Sequence, residues 1–111
     1  MAWKPSGLAI ASLPPGSMRE VTIEGRSILL VRLSDTVHAV DGICPHAGGV
    51  LADGELLQSR VKCPEHGAVY DVRSGAVITD PDGIEPPQGG TSALGHYTTR
   101  LASGMIEVEI E

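Results

Sequence analysis

Two short segments, Cys44-Pro45-His46 and Cys63-Pro64-Glu65-His66, contain both cysteines of the chain and two of its four histidines. Each segment offers one thiol and one imidazole. Glycine follows each of them closely, as Gly48 and Gly49 after the first and Gly67 after the second. One Cys and one His in each of two loops indicate two matching loops that face each other across a metal site, and the remaining strands must support that arrangement.

The ligand types limit the metal. Thiolate and imidazole suit zinc, copper or an iron–sulfur cluster, whereas hard cations take oxygen ligands. A zinc finger usually groups its cysteines in one knuckle and its histidines in another, but here Cys and His alternate. Alternation can place both thiolates on one side and both imidazoles on the other. Two Cys and two His are the ligand set of a Rieske [2Fe–2S] centre. A structural zinc site with the same ligands and a disulfide are the alternatives.

The two loops, CPHAGG and CPEHG, resemble the cluster-binding loops of Rieske proteins, and the sequence from about residue 7 to 110 resembles the soluble Rieske-type ferredoxins. This resemblance implies one [2Fe–2S] cluster. Cys44 and Cys63 would bind one iron, and His46 and His66 would bind the other.

The same resemblance implies a one-electron carrier that is not itself an enzyme. It would receive electrons from a flavin-containing NAD(P)H reductase and pass them to a terminal ring-hydroxylating oxygenase. A small Rieske subunit of another oxidoreductase, such as a nitrite reductase, or a soluble respiratory Rieske protein is the alternative. A catalytic oxygenase needs a separate iron held by two His and a carboxylate. His38 and His96 lie in different predicted strands, so the sequence predicts no such site.

Further residues are predicted to surround the ligands. Gly48, Gly49 and Gly67 should allow tight turns and direct their amide N–H groups toward the bridging sulfides. By the same resemblance, Tyr70 retains a tyrosine of the Rieske pattern, and we expect its hydroxyl to reach a ligand sulfur. Ala68 stands where high-potential Rieske proteins, by the resemblance, carry a serine. We therefore expect a midpoint potential in the lower half of the Rieske range of about −150 to +300 mV.

The predicted fold is all-β, a single Rieske domain over residues 1–111 of this 111-residue chain. An antiparallel sandwich or barrel base would comprise about 7–41 and 76–110. A small three-stranded cluster-binding subdomain would comprise about 42–75. Fourteen Gly and eight Pro indicate many tight turns.

Individual segments carry more specific predictions. The apolar run Ser27 to Leu33 predicts a central strand, and 96–102 with 105–110 predicts a final hairpin. By the resemblance, the Pro/Gly-rich segment 79–90 covers the cluster; a mobile surface loop is the alternative.

The net charge of −6 argues against nucleic acid as a partner and favours a partner with a basic docking patch. Residues 1–16 show no signal-peptide pattern, and no apolar run approaches the ~20 residues of a membrane helix. We therefore expect a cytoplasmic protein, monomeric and without a membrane anchor.

Overall fold

The computed structural model of the chain describes residues 2–45, 48–88 and 91–110. Within these ranges the chain forms eleven β-strands: β1 Ala2–Ala9, β2 Ser17–Ile23, β3 Arg26–Arg32, β4 Val37–Asp41, β5 Glu55–Leu57, β6 Arg60–Lys62, β7 Val69–Asp71, β8 Val77–Thr79, β9 His96–Tyr97, β10 Thr99–Ala102 and β11 Met105–Ile110. Short 3₁₀ turns cover Ile10–Ser12, Leu51–Asp53 and Pro81–Gly83. None of the described helical turns is long and apolar enough to cross a membrane.

The strands form three antiparallel sheets. The outer sheet has the order β1-β11-β10, the central sheet β2-β3-β4-β9 and the small sheet β5-β6-β7-β8. The predicted all-β, antiparallel fold is therefore confirmed. The small sheet has four strands instead of the predicted three, because β8 adds its β-branched residues to β7 through the pair Val69 and Thr79.

Strand β3 holds the layers together. Its residues Ile28, Leu29, Leu30 and Val31 are all fully buried. Ile28 and Leu30 belong to a core shared with the outer sheet, whereas Leu29 and Val31 belong to a core shared with the small sheet. A strand covered on both faces must be apolar at every position, so the uninterrupted apolar run is explained and the predicted central strand is confirmed.

The predicted strand over 96–102 is divided between two sheets. His96 and Tyr97 pair with β4 in the central sheet, whereas residues 99–102 pair with β11 in the outer sheet. The chain crosses at Thr98, whose carbonyl accepts the Glu109 amide N–H at 2.9 Å. The hairpin of β10 and β11 is as predicted, but its first strand is shorter because β9 is needed to extend the central sheet.

A side-chain network fixes the end of β4, where the chain enters the first ligand loop. The Tyr97 hydroxyl donates to Asp41 Oδ1 at 2.5 Å, and the Gly95 amide N–H donates to Asp41 Oδ2 at 2.7 Å. A Cβ at Gly95 would lie 2.8 Å from Asp41 Oδ2, so the chain passes closest to this carboxylate where no side chain intervenes. Strand β9 thereby holds the start of the loop in place.

Candidate metal centre

The two ligand loops have the same backbone hydrogen bonds. Cys44 N–H donates to the Gly49 carbonyl at 2.8 Å, and Gly48 N–H donates back to the Cys44 carbonyl at 2.9 Å. In the second loop, Cys63 N–H donates to Ala68 and Gly67 N–H donates back to Cys63, at 2.8 and 3.2 Å. The matched loops that the sequence predicted are therefore present in the backbone.

Gly48 and Gly67 take the equivalent position in each loop, four residues after the cysteine. Both have a positive φ, 71° and 77°, which glycine adopts without strain. Their amide N–H groups close the loops by donating to the cysteine carbonyls. The prediction that these two amides point toward bridging sulfides is therefore wrong, because the turn itself uses them.

The two thiols lie side by side. Cys44 and Cys63 are 1% and 2% exposed, they are not joined in a disulfide, and their side chains interact with each other. Burial raises the pKa of the Cys63 thiol, the contact with Cys44 raises it further, and the amide N–H groups of Glu65 and His66 act in the opposite direction by donating to the sulfur. Two neighbouring buried cysteines of this kind can bind a metal as thiolates, because metal binding displaces the thiol protons.

Tyr70 lies beside the two thiols, in the core of the small sheet. It is fully buried, and its hydroxyl lies 3.2 Å from Cys44 Sγ. Burial, the largest cause, and the contact with Cys44 raise the pKa of the phenol well above its usual range, so the hydroxyl keeps its proton. The Tyr70 hydroxyl thus contacts the sulfur of Cys44, one of the two predicted cysteine ligands.

Gly49 marks the point where the first loop approaches the second. A Cβ at this position would lie 3.2 Å from Cys63 Sγ and 2.6 Å from the Glu65 side chain. Because glycine has no side chain, the first loop can pass close to Cys63 Sγ. Glycine is required at position 49 because the two loops approach each other closely there. The sequence had predicted a different reason, a tight turn and an amide donor.

Of the two predicted imidazole ligands, the structure describes only His66. His66 is exposed, and its carbonyl accepts the Asp82 amide N–H at 2.6 Å. His46 lies outside the described residues. Among the described residues, no three His, Cys, Asp or Glu side chains converge as a site for a single metal ion.

The other two histidines lie in the central sheet. His38 is in β4, and its Nε2 is 3.0 Å from the Thr36 hydroxyl. The His96 ring is 6.3 Å from that of His38, measured between centroids. Burial lowers the pKa of His38, and His96 lowers it further. The prediction that His38 and His96 lie in separate strands is confirmed.

The described part of the predicted covering segment 79–90, residues 79–88, contacts the second ligand loop, whereas residues 89–90 lie outside the described residues. Asp80 N–H donates to the Ile84 carbonyl at 2.9 Å, and Asp82 N–H reaches His66. The carboxylate of Asp80 is buried at 4% exposure, which sequence reasoning missed. An Asp between Thr79 and Pro81 is typical of an exposed turn, so no sequence signal indicated its burial.

Comparisons with known proteins agree with this geometry. A family model described as "Rieske [2Fe-2S] domain" matches residues 6–87. The chain is 30% identical over 74 residues to the ferredoxin component of the naphthalene 1,2-dioxygenase system of Pseudomonas aeruginosa, covering 67% of this chain and 71% of the relative. It is 39% identical over 66 residues to apoptosis-inducing factor 3 of Homo sapiens, covering 60% of this chain and only 11% of that longer protein.

Among solved structures, the ferredoxin of carbazole 1,9a-dioxygenase from Nocardioides aromaticivorans IC177 has the same fold. It superposes with a TM-score of 0.79 at 24% identity and covers 94% of each chain. With the family model matching most of its length, the chain belongs to the Rieske [2Fe-2S] domain family.

Membership of this family indicates one Rieske [2Fe–2S] cluster, and the described residues fit that group. Two neighbouring cysteine side chains that are not joined in a disulfide would supply the sulfur ligands for one iron. Gly49 leaves free the space that a Cβ would take beside Cys63 Sγ. The iron–sulfur interpretation is therefore favoured over a disulfide or a structural zinc site.

Proposed function

We propose that this protein is a one-electron carrier that holds its cluster between the loops at 44–49 and 63–68. Cys44 and Cys63 would bind one iron, and His46 and His66 the other. The observation that carries this proposal is the pair of buried, contacting thiols presented by two loops with the same hydrogen-bond pattern. The bound cluster would supply reversible one-electron chemistry.

The protein side chains then determine where the electron enters and leaves. The cysteines are buried against the core of the small sheet, whereas His66 is exposed. The histidine edge would therefore face solvent, where a redox partner can approach. Backbone amides donating to Cys63 and the Tyr70 hydroxyl beside Cys44 are fixed donors that stabilise negative charge on sulfur.

We propose a flavin-containing NAD(P)H reductase as the electron donor and a terminal ring-hydroxylating oxygenase as the acceptor. Support comes from the similarity to a ferredoxin component of a dioxygenase system. The net charge of −6 favours steering toward basic docking patches. Redox encounters of this kind typically bury less than about 1,200 Å², so contacts would be transient and the protein would work as a monomer. Its thiol chemistry suits the reducing cytoplasm.

The test is to purify the protein anaerobically, measure iron and acid-labile sulfide, and record an EPR spectrum after reduction with dithionite. About two irons and two sulfides per chain are expected, with a rhombic signal of lower average g than that of an all-cysteine cluster. Cys63→Ser should lose both iron and sulfide. His38→Gln, a change outside the loops, should keep them. Wild-type protein without iron and sulfide, even after anaerobic reconstitution, would refute the proposal.

A further inference from the structure

Asp80 is a buried carboxylate that is not among the proposed ligands of the cluster. Its side chain is 4% exposed. Oδ2 accepts the Gln88 amide N–H at 2.5 Å, whereas Oδ1 is buried with no hydrogen-bond partner among the described residues. Burying a polar atom without a partner is unfavourable, because the atom loses its hydrogen bonds to water. Such a group is kept at a net cost to stability, which suggests a role other than folding.

Within residues 2–45, 48–88 and 91–110, no cation is paired with this carboxylate. The ion pairs among the described residues join Lys4 to Glu24, Arg73 to Asp71, and Arg100 to Glu107, and none includes Asp80. Its single described donor is a neutral backbone amide. The charge of Asp80 is therefore not neutralised by a described cation. In the low-dielectric core, charges act over longer distances than they do in water.

The strand register places Asp80 beside the second ligand loop. Thr79, the last residue of β8, pairs with Val69 of β7. Continuing this antiparallel register sets Asp80 at the level of Ala68, and the Asp82 amide bonded to the His66 carbonyl follows the same register. Asp80 thus lies between two points of contact with the loop and its following strand.

The electrostatics of Tyr70 agree with this placement. Burial is the main reason that the pKa of this phenol is raised, the thiols of Cys44 and Cys63 come next, and the charge of Asp80 acts in the same direction. The carboxylate is therefore within electrostatic reach of the phenol whose hydroxyl lies beside Cys44 Sγ.

We propose that Asp80 is a built-in negative charge that lowers the reduction potential of the cluster. This inference rests on the proposed electron-carrier function. Reduction adds one negative charge to the cluster, so a fixed carboxylate nearby makes the reduced state less favourable. Asp80 would act as a positioning residue through its field, without touching the cluster.

The test compares Asp80→Asn with Asp82→Asn by spectroelectrochemical titration. Asn keeps an oxygen acceptor for the Gln88 amide and removes the charge. Asp82 is the matched control, because it lies in the same segment but is exposed. Its bond to His66 uses the backbone, and Asn is well suited to its φ of 65°.

Asp80→Asn should raise the potential, so that at a fixed solution potential the ratio of reduced to oxidised protein increases by about threefold to tenfold. Asp82→Asn should change this ratio by less than about twofold, and its effect should vanish near 1 M salt while that of Asp80→Asn persists. Asp80→Ser, which also removes the charge, should shift the potential in the same direction.

An unchanged potential in both neutral variants, with the cluster bound, would overturn the inference, as would an equal shift in Asp82→Asn. If both neutral variants failed to bind the cluster while Asp80→Glu bound it, Asp80 would be a structural residue and the inference would be wrong. These outcomes differ from failure of the proposed function, in which the wild-type protein itself would bind no cluster.

Discussion

The hydrogen bond between Tyr70 and Cys44 allows a quantitative prediction. Tyr70→Phe removes one oxygen atom from a fully buried side chain and leaves the ring packed in the core that contains both cysteines. The substitution therefore deletes a donor 3.2 Å from Cys44 Sγ with little change in shape. The proposed cluster would lose one of the donors that stabilise charge on its ligand sulfur.

The size of the effect follows from the charge on the acceptor. A hydrogen bond to a charged group contributes about 1.5–3 kcal/mol. It acts on the potential only through the difference between the two redox states, for which we take about 0.5–1.5 kcal/mol. With about 1.4 kcal/mol and about 59 mV for each factor of ten in a one-electron couple, the potential should fall by about 20–60 mV. The potential falls because the reduced cluster carries more negative charge, so it loses more stabilisation than the oxidised cluster when the hydrogen bond is removed.

The assay is a spectroelectrochemical titration of the wild-type protein and of Tyr70→Phe, with EPR spectra to confirm that each binds the same cluster. Thr99→Val is the control, since it removes a hydroxyl, here bonded to the Val37 carbonyl, with little change in shape, from β10 of the outer sheet. Its potential should remain within about 10 mV of the wild-type value. A higher or unchanged potential in Tyr70→Phe would show that the hydroxyl does not stabilise the reduced cluster.

Two further predictions concern stability. Gly75→Ala should lower the free energy of unfolding by about 2–4 kcal/mol, because φ is 82° and the new Cβ would lie 2.1 Å from the Leu94 carbonyl oxygen. Gly25→Ala, with φ of 76° and open space, should cost only about 1–2 kcal/mol in the same urea titration, and equal costs would contradict the steric argument. Burial, and then His96, lower the pKa of His38, so the folded state binds fewer protons than the unfolded state. The stability that neutral His38 supports is complete above about pH 6.5 and is lost as pH falls through the folded pKa. The wild-type protein should therefore lose more unfolding free energy than His38→Gln between about pH 7.5 and pH 5.5, and parallel losses would assign the pH dependence to other groups.

Much of the centre was predictable because ligand chemistry is local. The spacing of Cys44, His46, Cys63 and His66 indicated two matching loops, and the structure has the predicted pair of loops for the described members. Tyr70 was predictable only through the resemblance to Rieske proteins, whose tyrosine at the corresponding position it retains, and the structure places it on β7, the strand that leaves the second loop. Short-range spacing constrains which groups can meet, because a turn of few residues leaves the backbone few conformations.

The candidate ligands, the all-β class and the apolar run of the central strand were all predictable from the order of the amino acids. Each of these follows from residue chemistry or from periodicity along the chain. Three other features could be seen only in the folded chain: Gly48 and Gly67 use their amides to close the loops, β9 joins the central sheet, and Asp80 is buried. These features depend on pairing between residues far apart in sequence or on burial by other layers, and neither leaves a pattern in the local order of amino acids.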